Sequence, residues 1–429
     1  MKIKSSTLNF KGLNWKAILF FAIVLFYACL VVIWLQEKTS PIHYGGDYLA
    51  FWSTGKLADE QGFSAIHNVA DLQTIQVQVL ESLGFPRNGI EAVYIALPAP
   101  FFSIFMLPFK FLSRMDIQTS FLIWTIFNIL VLVGYLAFFL REVSPKSGTR
   151  SRMLVLLLLL VSFPVFDNLV NGQLNVLLLL CCGEFIRNAS KKNPFPAGLW
   201  LGGMLLKPQV LILILPVLLL QRHWKVIWGF IVASLAVVGI STLLSGIEGM
   251  TAYARLLTGW GQGNSVTAPE AMVNWRMIAA YANTSLGSPA GWIIAATGVL
   301  LTLTALVIVL RRRTQFGSPE WGAAMLAVMA ATLAVTWHAH AHMAVVIIPL
   351  LLYAAANGML NESKAVLWAA LTPAAWLGFL LLGLVLQQAA KINILDFQGM
   401  VVAISGFAAN LLILGFVYKN SRQRLPAGA

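Results

Sequence analysis

Apolar runs close to twenty residues long, each ended by a short polar break, recur from one end of the chain to the other. An α-helix needs about that length to cross ~30 Å of hydrocarbon. Candidate spans are 17–36, 95–112, 119–140, 152–166, 169–187, 195–220, 225–245, 289–310, 320–337, 342–356, 365–387 and 398–418. Two long polar stretches interrupt the series, 37–94 and 246–288. In the first, Leu49, Phe51 and Leu57, then Leu72, Ile75, Val79 and Leu80, predict short amphipathic helices lying along the membrane surface. The chain, 1–429, therefore reads as one all-α polytopic membrane domain. Its pattern predicts a bundle of about 10–13 transmembrane helices.

Composition agrees with the pattern. The chain is 59% hydrophobic and 10% charged, against about 25% charged residues in a soluble domain. The net charge of +13 is distributed in short clusters between apolar spans: Lys2, Lys4, Lys11 and Lys16; Arg311–Arg313; Lys419, Arg422 and Arg424. That is the positive-inside pattern, which orients helices and does not call for nucleic acid. Cys29, Cys181 and Cys182 all lie in apolar spans, so neither a disulfide frame nor a zinc site is indicated. The first apolar stretch, Ala17 to Leu35, is too long for a signal peptide and lacks a small-x-small cleavage site. It reads as a retained helix.

The basic N-terminus directs the first helix outward, which places 37–94 outside. That loop holds seven of the 16 acidic residues and only Lys38, Lys56 and Arg87 as basic ones. Counting back from the basic C-terminus places 246–288 and the turn His338–His342 outside as well. A conflict remains at Arg141, Lys146, Arg150 and Arg152. This cluster belongs inside but falls outside if 95–112, with Pro98, Pro100 and Pro108, crosses fully. A re-entrant 95–112 would remove the conflict.

Ionisable and amide side chains near bilayer depth are the functional suspects. Asp47 stands behind Gly45-Gly46 and ahead of Tyr48 and Trp52, at the mouth of the first span. It reads either as an interfacial loop carboxylate beside an aromatic belt or as a base for a hydroxyl proton. Asn171-Gly172-Gln173-Leu174-Asn175 opens an apolar run, with Asn171 as helix cap and Gln173 and Asn175 suited to ligand hydroxyls or to helix packing. Lys207, beside Pro208 in an otherwise apolar stretch, either snorkels or sits at a helix break facing a cavity. Asn274 and Arg276 lie in the second external loop, where arginine is ordinarily just solvated; Arg276 gains weight only if the loop folds back over a site. His338, His340 and His342, half of the chain's six histidines, lie within five residues. They read as an interfacial turn, as metal ligands, or as phosphate donors. No cysteine or second histidine cluster completes a metal site, and no carboxylate is evident nearby.

In order along the chain, several pieces resemble glycosyltransferase family 87. They are Asp47-Tyr48-Leu49-Ala50-Phe51-Trp52-Ser53-Thr54-Gly55, the proline-rich Tyr94-Ile95-Ala96-Leu97-Pro98-Ala99-Pro100-Phe101, Asn171 to Asn175, Ala197-Gly198-Leu199 leading to Leu206-Lys207-Pro208, and the turn Thr336 to His342. Ala341 and His342 stand where the family often has an acidic or aromatic residue, and the proline segment is looser than Tyr-Pro-Pro. The resemblance implies a GT-C-like bundle in the cell (inner) membrane with its active site on the non-cytoplasmic side. It implies inverting transfer of a sugar, most often mannose, from a polyprenyl-phosphate donor to a lipid or glycan acceptor. By the same implication Asp47 is the catalytic base. Lys207, Arg276, His338, His340 and His342 are the candidates to hold the donor phosphate, and Tyr48, Trp52, Gln173, Asn175 and Asn274 the candidates to hold sugar or acceptor. No cofactor is implied, and the chain has no Asp-x-Asp triplet, consistent with metal-free transfer. The main rival is a transporter or flippase of lipid-linked saccharides, which should show paired broken helices in corresponding halves. The sequence has one strong break, at Lys207-Pro208.

Overall fold

The computed structural model describes residues 15–37, 40–85, 101–143, 149–261, 268–312 and 314–423. The segment Tyr94–Pro100 lies outside the described residues, as do Lys2, Lys4, Lys11, Lys38, Arg87, Lys146, Arg313 and Arg424. In chain order the α-helices are α1 (Trp15–Gln36), α2 (Tyr48–Glu60), α3 (Val69–Ser82), α4 (Ser103–Leu112), α5 (Ile117–Val143), α6 (Thr149–Leu160), α7 (Phe163–Val170), α8 (Asn175–Ser190) and α9 (Pro194–Gly203). They continue as α10 (Ile214–Leu220), α11 (Trp224–Gly261), α12 (Trp275–Leu286), α13 (Ala290–Leu310), α14 (Pro319–Val335), α15 (Ile348–Ala356), α16 (Glu362–Ala390) and α17 (Gln398–Gln423). Among the described residues no strand forms, and the isolated antiparallel bridge Met272–His340 is the exception to an all-helical backbone.

Six helices are long and apolar enough to cross a membrane: α1, α5, α11, α13, α16 and α17. The pair α6–α7, bent by 43°, makes a seventh if it is one span. Of the remaining candidate spans, 95–112, 195–220, 320–337 and 342–356 correspond to shorter apolar helices of 10–17 residues. The expected series of full crossings thus divides into full-length helices and short or broken ones. Hydrophobicity measures only distance from water, and a short helix can be apolar because protein covers it. α14 illustrates this, with Trp321 through Ala334 buried without interruption. A helix apolar on every side belongs at the centre of a bundle. Its start is set by Ser318, whose side chain accepts from the Trp321 N–H, followed by Pro319.

Contacts define the two ends of the bundle. Lys16 pairs with Glu362 at 2.7 Å, joining the starts of α1 and α16. Asn420 donates to the Met359 carbonyl, and the Tyr353 hydroxyl to the Gly317 carbonyl. Lys192 donates to the Phe316 carbonyl, and Glu142 pairs with Lys191 and Arg187. These residues form one continuous end, rich in basic side chains. Arg141, next to Glu142, is therefore at the same end as Lys16. α4 has only ten residues, about 15 Å of helix, so this described part of 95–112 is too short to cross.

Two local expectations change. The stretch 195–220 is not a single crossing. Ala189 and Lys192 lie against Gly317 and Phe316, while Gln221 accepts from Trp321 and the His223 ring lies 5.0 Å from Phe316. Both flanks are thus at the basic end, and 194–220 is a re-entrant helical hairpin with Lys207 at its tip. Asn171 caps the C-terminus of α7 rather than the start of the next helix, which begins at Asn175. The first loop does form two short helices. α2, however, buries ten of its 13 residues and packs inside the protein rather than along its surface. Gly55 permits this, since a Cβ there would strike the Phe109 carbonyl of α4.

Candidate functional site

The site is assembled at the end of the bundle opposite the basic residues. Its first part is the turn before α2. Gly45 adopts φ 69°, and a side chain there would collide with Tyr48 and Phe121. The turn docks on a second glycine turn, where Tyr48 N–H donates to the Asn171 carbonyl at 3.0 Å and Gly172 adopts φ 64°. These paired turns place exposed Asp47 beside buried Gln173.

Gln173 is the bridge. Its Nε2 donates to Asp47 Oδ2 at 2.5 Å, and its Oε1 accepts from Lys207 Nζ at 2.9 Å. Lys207 sits at the hairpin tip because it precedes Pro208. The proline ring disfavours helical backbone at the preceding residue, and Lys207 has φ −139° and ψ 83°. The lysine is 7% exposed. One amide therefore connects a carboxylate open to solvent with an ammonium group enclosed by protein.

The histidine turn closes the other side. Val273 N–H donates to the Ala339 carbonyl at 2.8 Å, and His340 Nδ1 lies 3.3 Å from the Ala271 carbonyl. The second loop therefore folds back over the turn, the condition under which Arg276 gained weight. Its guanidinium lies 4.2 Å from the Trp337 ring centroid, and its charge reaches His338. The rings of His338 and His340 are 4.8 Å apart, and those of His340 and His342 5.6 Å. Burial, with the charge of Lys207 nearby, holds His338 and His340 below the usual imidazole range. They are neutral at pH 7. The charges of Asp47 and Lys207 both act on His340 and His342.

Asp167 belongs to this cluster and was not among the sequence candidates. Its Oδ2 lies 3.1 Å from the His342 backbone N and 3.2 Å from His342 Nδ1. Asn171 Nδ2 donates to its Oδ1 at 2.9 Å. The expectation of no carboxylate near the histidines is thus corrected. A signal was present in sequence: an aspartate in Phe166-Asp167-Asn168, at the seam between two apolar runs. The Asp167 contact assigns the proton to Nδ1 of His342 and leaves Nε2 as the acceptor of a neutral ring. Among the described residues no group of three or more His, Cys, Asp or Glu side chains is placed to hold a metal ion.

The other candidates make different contacts. Tyr48 is fully buried, its hydroxyl on Ser120 and its ring against Phe109, Phe121 and Trp124. Trp52 donates to the Met115 carbonyl. Asn274 caps α12 through Met277 N–H and donates to the Thr336 carbonyl, holding the loop to the turn. Asn175 is fully buried, and neither of its amide atoms has a partner among the described residues. Tyr48, Trp52 and Asn274 thus have their polar side-chain atoms engaged by the protein, whereas Asn175 does not.

Residues 99–336 match the model of glycosyltransferase family 87. The matched stretch contains Asp167, Gln173, Lys207 and Arg276, while the three histidines lie just beyond it and Asp47 lies well before it. No curated protein matches the chain. No solved structure matches it either.

Proposed function

The chain belongs to glycosyltransferase family 87, and from that premise we propose that it transfers a sugar, mannose by family resemblance, from a polyprenyl-phosphate donor to a hydroxyl of a lipid or glycan acceptor. Transfer takes place at the non-cytoplasmic face of the cell (inner) membrane. Asp47 takes the proton of the acceptor hydroxyl, whose oxygen attacks the anomeric carbon. The bond from that carbon to the phosphate oxygen breaks, and polyprenyl phosphate leaves with its electron pair. A single displacement of this kind inverts the anomeric centre.

The observation that carries this reading is the Asp47–Gln173–Lys207 relay. Transfer needs a base at one reacting atom and a cation where charge grows on the leaving phosphate. The relay supplies both a fixed distance apart and keeps them from collapsing into a direct ion pair, which would disable each. Arg276 and His338 complete the donor side, since the neutral N–H of His340 goes to the Ala271 carbonyl and that of His342 to Asp167. Sidedness follows from charge: the basic end faces the cytoplasm by the positive-inside rule, so the cluster faces away from it.

The test is transfer from a panel of polyprenyl-phosphate sugars by the purified protein. Asp47→Asn keeps the hydrogen bond, because an amide oxygen can still accept from Gln173 Nε2, but has no basic oxygen. It is expected to lower transfer at least ~10²-fold, the scale of general-base catalysis, with unchanged thermal unfolding. Full activity of the folded variant overturns the base assignment.

A further inference from the structure

Three elements meet beside the histidine turn. α12 carries Arg276, α13 carries Trp292, and Trp337 is the residue before His338. The backbone of α12 is fixed on two sides. Trp275 Nε1 donates to Thr302 Oγ1 at 3.0 Å, and a Cβ at Gly298 would strike the Trp275 ring, so the start of α12 rests on α13. Asn274 ties the same start to the Thr336 carbonyl at 2.9 Å. Arg276 therefore leaves a backbone pinned both to α13 and to the turn.

Its side chain is fixed by a ring. The guanidinium carbon lies 4.2 Å from the Trp337 centroid. Trp292 runs parallel to Trp337, with 5.8 Å between centroids and 6° between planes. Trp337 is 50% exposed and Trp292 43%, as tryptophans that anchor a protein at a membrane–water interface are. An anchor needs only headgroups around it. Trp337 has in addition a cation over its ring and a parallel indole beside it. Contact with a ring face occupies none of the five guanidinium N–H donors. One of them, on Nη1, makes a long bond of 3.5 Å to the Trp337 carbonyl. Among the described residues no carboxylate stands within ion-pair distance of Arg276, although the charge of Glu270 reaches it. The guanidinium is thus held in place with its other donors open. An unstacked arginine would lose rotamer freedom on meeting an anion; a stacked one has already lost much of it.

We propose that Trp337 is a positioning residue, which holds the Arg276 guanidinium ready for a lipid-linked phosphate before that ligand arrives. The proposal rests on the reading of Arg276 as part of the donor side. Trp337 acts through the arginine and does not itself touch the phosphate. A phosphate presents at least two free oxygens, and a planar fork meets two of them at once. Lys207, a point charge, offers no such match.

The test reads binding rather than turnover. Protein in phosphatidylcholine nanodiscs is titrated with tritiated farnesyl phosphate, and bound ligand is counted by scintillation proximity over empty nanodiscs. Arg276→Gln is expected to weaken binding about tenfold, a loss of ~1.4 kcal/mol. Trp337→Leu and Trp337→Gln, at a half-exposed position, are each expected to weaken it about fivefold. In the Arg276→Gln background the same changes are expected to cost less than about twofold, because the ring then has no guanidinium to place. Trp337→Phe keeps an aromatic face and is expected to stay within about twofold of the parent protein. Undiminished binding by both Trp337→Leu and Trp337→Gln overturns the proposal. So does an equal loss in the Arg276→Gln background, or a Trp337→Phe variant as weak as Trp337→Leu; each of these leaves the transfer reading standing. Full binding by Arg276→Gln overturns the proposal together with the phosphate role of Arg276, and leaves Asp47 and Lys207 to the transfer assay. No binding by the parent protein overturns the proposal and the donor reading together.

Discussion

Lys207 is the residue on which the proposed donor side turns. It is 7% exposed and its ammonium reaches Gln173 Oε1 at 2.9 Å, so among the described residues it has one fixed partner and two further N–H bonds to offer. Substitution by Met keeps the length and the apolar stem but removes the charge. Lys207→Met is expected to lower kcat/KM for the polyprenyl-phosphate donor about 10²-fold, the scale for one charge-stabilising donor. Unchanged donor kinetics in steady-state assays would count against a phosphate role. Sequence alone marked this residue because a lysine beside a proline in a greasy run is conspicuous. It could not mark Asp167 in the same way. Asp167 sits where two apolar runs meet, and its partner His342 is 175 positions further on. Tyr48 and Asn274 are a different case. Both are polar, both stand next to site residues, and both have their polar atoms engaged by the scaffold.

At the scale of elements, the re-entrant hairpin 194–220 explains how a lysine reaches the site. Thirteen residues from Pro194 to Leu206 rise roughly 20 Å, which carries Lys207 about two-thirds of the way across a ~30 Å core. The hairpin is held by close approach of α9 to α11. A Cβ at Gly198 would strike the Val226 carbonyl, and one at Gly202 the Ala233 side chain. Small residues that let helix backbones touch are a common device in membranes. Gly198→Val is therefore expected to destabilise by ~1–3 kcal/mol, as overpacking does, and to raise the apparent KM for donor by shifting the tip. Gly134→Ala, where a Cβ meets nothing within 4 Å, is the control. Equal thermal unfolding of Gly198→Val, Gly134→Ala and the parent protein would show that the contact does not hold the hairpin. The pattern of apolar residues revealed the segment and its proline, but a mostly apolar stretch of 26 residues looks alike whether it crosses once or enters and returns.

For the whole molecule, the contacts Lys16–Glu362, Lys192–Phe316 and Glu142–Lys191 gather the basic clusters at one end, and the site lies at the other. With the native cysteines replaced by alanine, Ser82→Cys is expected to react with a membrane-impermeant maleimide in intact cells. Asn193→Cys is expected to react only after lysis. The reverse pattern would invert the proposed orientation. The amino-acid pattern by itself determined that this is a helical membrane protein, where most of its apolar helices lie, and that Asp47, Lys207 and the histidine turn are chemically out of place in it. These are properties of composition and local spacing, governed by transfer of side chains and backbone out of water. Which helices cross fully, that Gln173 joins Asp47 to Lys207, that the second loop closes over the histidines and that Asp167 stands among them were decided only by tertiary structure. They depend on which distant segments share a surface, and burial in lipid and burial in protein favour the same apolar residues.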